Sequence, residues 1–315
     1  MTSAKKLGIF VMVALVAHVV LIVVNQRLFE ESRLGQVGAA VAELKDSGGV
    51  FILGNSHAAA VDESLIDGAS NLASYGESLH QTYYRLKDLV EAKGKTPKAV
   101  ILSYDLLLLR NPLEVKDPNQ FFWNGLESWG ELGRFAPEKL SFFTHRLSSA
   151  FVPYKNLDVV LFDFFFAGPA QPAGALRESG ETESPVAQPE ELVRRPTPEG
   201  LSEELSDYGI FYFTRLLKLC RQEKISLYLI RFPVTERYYL ENSLRFHPKD
   251  YYKRLDQIIE ESGGDVAVLD LHEDFPEEDF RDPHHLKGGE PRKKMTLLIR
   301  EFLGKQHSGA SGDSL

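Results

Sequence analysis

Four short apolar runs constrain the fold of this chain more than any other feature of its sequence. They span Val50 to Leu53, Ala99 to Tyr104, Ser226 to Phe232 and Val266 to Leu271. Runs of this length with few polar residues predict strands that are buried on both faces. A shorter run, Asn71 to Ser74, predicts a fifth strand. The sequence therefore indicates a sheet with a layer packed against each face.

Amphipathic helical patterns lie between these runs. Apolar residues recur at helical spacing in three segments, namely Leu79, Tyr83, Leu86 and Val90, then Tyr252, Leu255 and Ile259, then Met295, Leu298 and Phe302. Pro291 near the start of the last helix and Gly304 just past its expected end are typical of helix boundaries. Buried strands that alternate with helices predict an α/β fold with a parallel sheet covered on both sides.

The length and charge of the chain limit its partners. Its 315 residues suffice for one large α/β domain or two smaller ones. Lys and Arg total 36 against 45 Asp and Glu, which gives a formal charge of -9. A chain with this balance lacks the broad basic surface that nucleic acid binding needs, so no nucleic acid partner is expected.

An apolar segment near the amino terminus predicts a membrane anchor. Residues 7–24 form a run of 18 residues in which His18 is the single polar side chain, close to the minimum length of a membrane span. Two lysines precede the run, whereas Arg27 is soon followed by acidic residues. The positive-inside bias then places the tip, residues 1–6, in the cytoplasm. No small-x-small cleavage pattern follows, which favours a retained anchor over a cleaved signal peptide.

The rest of the chain divides into four predicted parts. Residues 25–48 indicate a helical linker, residues 49–304 the main domain, and residues 305–315 a disordered tail. A helical, aromatic-rich insertion interrupts the domain at residues 105–200. Six of the 16 prolines fall in its last part, residues 168–200, which predicts a disordered loop there.

A serine directly after the first apolar run is a candidate nucleophile. The sequence Gly54-Asn55-Ser56-His57 follows the run and leads into alanines that can open a helix. A serine between a strand and a helix lies at the edge where α/β sheets bind ligands, with backbone N–H groups free to hold an anion. Gly-Asn-Ser is also common turn chemistry, so an ordinary turn is an alternative for this motif alone.

A second motif lies between the last strand and the last helix. There Asp282 and His285 have two residues between them, a spacing that can place the carboxylate on one imidazole nitrogen. The other nitrogen is then free to take a proton from Ser56. His284, the neighbouring residue, is an alternative to His285 as the base.

A metal site is the alternative interpretation of this loop. Adjacent histidines can ligate a metal, and Asp270 lies nearby in the sequence. This interpretation predicts a metal-dependent hydrolase that uses His272, His284 and His285. Metal ligation does not account for Ser56, so the metal-dependent hydrolase is the second choice. The preferred prediction contains no metal and no cofactor.

Together the motifs resemble the SGNH (GDSL-type) hydrolase superfamily. The resemblance spans residues 50–303 and rests on three motifs, Gly54-Asn55-Ser56, Asn71-Leu72-Ala73-Ser74-Tyr75-Gly76 and Asp282-Pro283-His284-His285-Leu286. It is closest to the membrane-anchored envelope branch, which includes alginate O-acetyltransferase-like proteins and the D-alanyl-lipoteichoic acid protein. The resemblance implies a three-layer, flavodoxin-like domain.

The resemblance also implies roles for single residues. Ser56 corresponds to the nucleophile, His285 to the general base and Asp282 to the residue that orients it. The backbone N–H groups of Ser56 and Gly76 correspond to oxyanion donors. Such donors contribute about 3 kcal/mol each to transition-state stabilisation.

Two positions depart from the family pattern. Gly-Asn-Ser replaces the usual Gly-Asp-Ser, and the Gly-x-Asn-Asp block that carries a side-chain oxyanion donor is replaced by residues 102–105, Leu-Ser-Tyr-Asp. Three further residues are candidate substrate contacts because they adjoin the nucleophile or follow a strand. They are Asn55, His57 and Arg231.

The function implied by the resemblance is that of a membrane-anchored serine esterase or O-acyltransferase. It would transfer an acyl group, expected to be acetyl, to a cell-envelope glycan or other surface polymer through an acyl-serine intermediate. Its partners would be an acyl donor, the polymer acceptor and a multi-pass membrane acyl carrier. The chain would cross the inner membrane once, with the catalytic domain in the periplasm. The alternative is a non-catalytic SGNH-like envelope protein that binds polymer or scaffolds an acylation complex.

Overall fold

The computed structural model describes residues 3–31, 44, 48–74, 77–105, 108–109, 207–240, 248–263 and 265–310. Most of the predicted linker and nearly all of the predicted insertion, with its proline-rich part, lie outside these residues. The predictions for them are therefore untested.

A five-stranded parallel sheet organises the domain. Its strands are β1 (Val50–Leu53), β2 (Ala69–Asn71), β3 (Ala99–Ser103), β4 (Ser226–Arg231) and β5 (Val266–Asp270). Their order across the sheet is β2-β1-β3-β4-β5, and all neighbours are parallel. The four longer strands match the predicted apolar runs to within one residue. The α/β prediction is thus confirmed, with the strand order of flavodoxin-like sheets.

The edge strand β2 lies earlier than the sequence predicts. The predicted run, Asn71 to Ser74, overlaps the observed strand, Ala69–Asn71, by one residue. All three strand residues are only half-buried, so a polar residue such as Ser70 is tolerated and the apolar signal is lost. Pairing continues beyond the strand, because the N–H groups of Leu72 and Ser74 bond to carbonyl groups of β1 and of the residue after it, at 2.9 and 3.0 Å.

Six α-helices and a small hairpin accompany the sheet, and short helical segments at Glu63–Leu65, residues 236–240 and Glu277–Asp279 lie in the connections of the described chain. The helices are α1 (Ser3–Glu31), α2 (Ser56–Ala59), α3 (Leu79–Lys87), α4 (Asp207–Gln222), α5 (Pro248–Ser262) and α6 (Glu290–Ala310). A wider π-helical turn, Asp88–Ala92, continues α3. The hairpin pairs β6 (Phe280–Asp282) with β7 (His285–Leu286) in antiparallel orientation.

The sheet separates two hydrophobic cores. Phe51 and Leu53 of β1 pack in one core with α3, α4 and α5. Ile52, between them in the strand, packs in the other core with α2 and α6. Because successive side chains of a strand point to opposite faces, each inner strand serves both cores. The result is the three-layer arrangement that the apolar runs predict.

The last helix is longer than the sequence predicts. Gly304 was expected just past its end, but α6 continues through Gly304 to Ala310, which also makes the first residues of the predicted tail helical. A glycine in a helix costs about 1 kcal/mol relative to alanine and does not by itself end a helix. An ion pair of 2.8 Å between Glu301 and Lys305, at i and i+4, spans this position.

The amino-terminal helix α1 contains residues 7–24, the segment predicted to be a membrane anchor. Within the described part of the chain, no helix combines the length and the sustained hydropathy that a bilayer span needs.

Candidate active site

Ser56 lies on a sharp turn between β1 and α2. Gly54 makes this turn with a φ of +117°, a value that favours glycine. A Cβ atom at this position would lie 3.0 Å from the hydroxyl oxygen of Ser103 in β3, so the close approach of β3 also favours glycine. Asn55 caps α2, because its side chain accepts the N–H of His57 at 3.0 Å. Ser56 therefore begins α2 at the carboxyl edge of the sheet.

The hairpin β6-β7 presents the second half of the site. The Oδ1 atom of Asp282 accepts the backbone N–H groups of His284 at 3.1 Å and of His285 at 2.9 Å. An aspartate that bonds to the backbone two and three residues ahead forms a tight local turn. This turn fixes the Asp282 carboxylate beside the His285 ring.

The three residues predicted as a triad form a continuous hydrogen-bonded chain. The Nδ1 atom of His285 lies 2.9 Å from Oδ2 of Asp282, and its Nε2 atom lies 2.9 Å from Oγ of Ser56. A carboxylate on Nδ1 holds the imidazole in the tautomer whose Nε2 lone pair faces the serine. The arrangement can therefore take the serine proton as the oxygen attacks an electrophile.

The electrostatics of the triad favour a neutral imidazole at His285 beside an ionised carboxylate at Asp282. Burial alone would raise the pKa of Asp282, but hydrogen bonds from the His285 ring and the His284 backbone hold it well below its ordinary value. Burial lowers the pKa of His285 below its ordinary 6.5, and the opposing effect of Asp282 offsets this only in part. His285 is then neutral at pH 7 and able to accept a proton.

His285, rather than His284, is positioned to act as the base. The His284 ring stacks on Tyr238, with centroids 4.9 Å apart, and its Nδ1 atom lies 3.4 Å from Asp282. Burial, reinforced by His285, lowers the pKa of His284 to about 4. The Ser56 hydroxyl donates its hydrogen bond to the other ring, at Nε2 of His285.

A second polar network lies next to the nucleophile, and sequence reasoning missed it. The Nδ1 atom of His57 lies 3.3 Å from Asp105, and the Asn55 amide donates to the same carboxylate oxygen at 3.2 Å. Ser103 donates to Asn55 at 3.0 Å. Asn55 and His57 were predicted substrate contacts, and the structure ties Asn55 into this network. The sequence offered one sign of this network. Asp105 is an acidic residue just after β3, and β3 lies next to β1 in the sheet.

The predicted oxyanion donor Gly76 lies outside the described residues. On one side of it, the Ser74 N–H bonds to the carbonyl of the residue that follows β1, at 3.0 Å. On the other side, Glu77 forms a fully buried ion pair of 2.7 Å with Arg85, and Thr82 donates to Glu77 at 2.8 Å. Both flanks of this segment are therefore fixed to the domain.

Two other candidates lie apart from the triad. Arg231 forms an ion pair with Asp270, and its guanidinium lies 3.6 Å from the centroid of the Tyr252 ring. His272 also contacts Asp270, at 3.2 Å. The metal set predicted from His272, His284 and His285 is not formed, since the histidine that joins the other two is His57.

A shallow pocket, open to solvent, lies beside Ser56. Its apolar lining comes from Phe232, Leu286 and Met295, and Arg281 and Arg292 line it as well. Apolar walls with a few polar groups are typical of small-molecule sites. The pocket places the serine hydroxyl within reach of a bound ligand.

Comparisons with known proteins do not assign the chain to a family. No protein-family model matches it, and no curated protein does. Among solved structures it is similar to a proposed acylhydrolase from Bacteroides fragilis, at 12% identity and a TM-score of 0.41, over 87% of this chain and 97% of that chain. A TM-score this low carries no argument, so the interpretation of the site rests on its own geometry.

Proposed function

We propose that this protein is a serine esterase or O-acyltransferase of the SGNH type. The observation that carries the proposal is the hydrogen-bonded chain from Ser56 through His285 to Asp282. Ser56 and His285 are 229 residues apart in the sequence, so this contact is a product of the tertiary fold. A serine, a neutral imidazole and a charged carboxylate in this order are the groups that acyl transfer requires.

The reaction proceeds in two acyl transfers. Ser56 Oγ attacks the carbonyl carbon of an acyl donor while its proton passes to Nε2 of His285. The imidazolium ion is stabilised by Asp282, and it returns the proton to the departing alcohol as the tetrahedral intermediate collapses to an acyl-serine. An acceptor hydroxyl then loses its proton to His285 and attacks the acyl-serine. His285 returns that proton to Oγ of Ser56 as the new ester leaves, which restores the neutral base.

The oxyanion of the intermediate needs hydrogen-bond donors. The proposed donors are the backbone N–H groups of Ser56 and Gly76, as in the family that the motifs resemble. Such donors are worth about 3 kcal/mol each in the transition state. The pocket beside Ser56 is small and partly apolar, which favours a small acyl group, so acetyl is the proposed group.

The finer parts of the proposal concern location and substrate. The apolar run at residues 7–24 and its flanking charges support a single anchor in the inner membrane, with the domain in the periplasm. The proposed acceptor is a cell-envelope glycan or other surface polymer, and the proposed donor is loaded by a multi-pass membrane acyl carrier. Water as the acceptor would make the same site an esterase.

One observation favours a non-catalytic alternative. The family pattern expects a side-chain oxyanion donor after β3, and the chain has Tyr104 there. The Tyr104 hydroxyl donates to Asp256 at 2.9 Å, and so it is engaged away from Ser56. A protein that keeps the fold only to bind a polymer or scaffold an acylation complex would need no such donor.

Hydrolysis of p-nitrophenyl acetate by the purified full-length chain tests the proposal. Wild type is expected to release nitrophenol catalytically, and Ser56→Ala is expected to fall to the buffer rate. Ser64→Ala is a matched control, because Ser64 is exposed and its hydroxyl bonds to Asp62 instead of a histidine. Equal rates for wild type and Ser56→Ala would contradict the catalytic proposal and favour the non-catalytic alternative.

A further inference from the structure

Three imidazole rings converge beside Ser56. One ring nitrogen from each of His57, His284 and His285 lies within 4.8 Å of the corresponding nitrogens of the other two. The ring centroids of His284 and His285 are 3.9 Å apart, and that of His57 lies 5.7 and 5.4 Å from them. The triad uses only one of these rings, so the other two are unexplained by the proposed reaction.

Each of the three rings has a carboxylate at its Nδ1 atom. Asp105 lies 3.3 Å from Nδ1 of His57. Asp282 lies 3.4 Å from that of His284 and 2.9 Å from that of His285. A carboxylate on one ring nitrogen orients an imidazole and directs the lone pair of the other nitrogen outward, as in carboxylate–histidine–metal arrangements. On His57 and His285, whose Nδ1 atoms are hydrogen-bonded to these carboxylates, the nitrogen that can ligate a metal is therefore Nε2.

The Nε2 atom of His57 is an independent sign of a missing ligand. It is buried and has no hydrogen-bond partner, and the residue is only 6% exposed. Buried polar atoms without partners are uncommon in folded proteins, because each loses the hydrogen bonds that water would provide. This nitrogen adjoins the pocket that Ser56 and the other two histidines line.

We propose that this cluster binds one Zn²⁺ ion through Nε2 of His57, His284 and His285, with water as the fourth ligand. Zinc takes three histidine nitrogens and one water in tetrahedral geometry at distances of about 2.0–2.1 Å. The ligand nitrogens would then be separated by about 3.4 Å. They now lie within 4.8 Å of one another, so binding requires the rings to move together by up to about 1.4 Å. Imidazole donors favour zinc over the hard cations Mg²⁺ and Ca²⁺.

Zinc at this site would inhibit the proposed reaction. The Nε2 lone pair of His285 accepts the Ser56 proton at 2.9 Å, and one lone pair cannot bind a metal ion and a proton together. Occupation of the cluster therefore removes the general base. The binding site itself stands on the geometry of the three rings, and only its inhibitory effect rests on the proposed function.

The test uses untagged, full-length Ser56→Ala protein, which keeps all three imidazoles and lacks the nucleophile. After removal of metal with a chelator, titration with Zn²⁺ near neutral pH is expected to show one ion bound per chain. Mg²⁺ and Ca²⁺ should not compete. Co²⁺ in place of Zn²⁺ should give the strong visible absorption of a four-coordinate site, which a merely structural role of the histidines would not produce.

Variants of the cluster locate the ion. His57→Gln and His284→Gln, each in the Ser56→Ala protein, should weaken Zn²⁺ binding by at least about tenfold. His272→Gln is the matched control, because His272 lies outside the cluster and contacts Asp270 and Glu273. Binding that survives both cluster variants, or the absence of binding and of the cobalt absorption in the parent, would overturn the proposal.

Wild-type protein separates this proposal from the proposed function. If wild type hydrolyses the ester, micromolar Zn²⁺ should inhibit it and a chelator should restore the rate. If zinc binds the Ser56→Ala protein but wild type has no activity, the metal site stands and the proposed function fails. If wild type is active and zinc neither binds nor inhibits, the metal site fails and the proposed function stands.

Discussion

Asp282→Asn tests the triad most specifically among single substitutions. The Oδ1 atom accepts the N–H groups of His284 and His285, and an asparagine oxygen can keep both bonds, so the hairpin turn should persist. Oδ1 also lies 3.0 Å from Nδ1 of His285, but the two backbone N–H groups already occupy both of its lone pairs. The amide nitrogen would replace Oδ2, the oxygen that receives Nδ1 of His285 at 2.9 Å. An amide donates at that point and cannot accept. The imidazole would switch tautomer and direct a proton, rather than a lone pair, at Ser56.

The expected loss follows from this switch. A base in the wrong tautomer, without a carboxylate to stabilise its imidazolium, loses about 10⁴-fold in kcat. At 1.36 kcal/mol for each factor of ten, this is about 5.4 kcal/mol of transition-state stabilisation. The assay is ester hydrolysis under saturating substrate, with thermal unfolding measured alongside to show that the variant is folded.

Asp274→Asn is the matched control for this prediction. Asp274 is exposed in the segment that precedes the hairpin, so its loss of charge should change kcat by less than about twofold. A folded Asp282→Asn protein that retained more than about a tenth of wild-type kcat would refute the assignment of Asp282 as the residue that orients the base.

Three further predictions test the base and the buried pair of Glu77 and Arg85. The acid limb of the pH profile of kcat/KM should have its midpoint below pH 6.5. Activity needs the neutral His285 ring, and burial lowers the pKa of His285 from 6.5. A midpoint above pH 7 would contradict this. In the same assay His285→Gln should lose far more kcat than His284→Gln, and equal losses would contradict the choice of base. Glu77→Gln should lower the free energy of unfolding by about 3–5 kcal/mol in urea, because it removes the carboxylate that lies 2.7 Å from the buried Arg85 guanidinium. Glu91→Gln, which removes an exposed carboxylate, should cost less than about 1 kcal/mol, and similar losses from the two would contradict this account of the buried pair.

The inner strands could be predicted from the sequence because burial on both faces makes them uniformly apolar. β1 and β3 are almost wholly buried, and their predicted bounds agree with the structure to within one residue. The edge strand β2 is only half-buried, so its polar residues gave no such pattern. The end of α6 was misplaced for a different reason, since Gly304 weakens a helix without ending it.

The triad could be proposed from the sequence because its members lie at recognisable junctions. Ser56 follows a buried strand, and Asp282 and His285 share one short loop before the last helix. The contact of His57 with Asp105 was missed because it depends on the order of strands across the sheet. The two residues meet only because β3 lies next to β1, and a pattern of apolar runs does not specify which strands are neighbours.

The central claim is that His285 activates Ser56 as a nucleophile, and a fluorophosphonate probe measures this directly. After a short incubation near neutral pH, peptide mass spectrometry should find one adduct per chain, on Ser56. Ser56→Ala should remain unmodified, and His285→Gln should react far more slowly than wild type. Equal modification of wild type and Ser56→Ala, or an adduct on a different residue, would contradict the account.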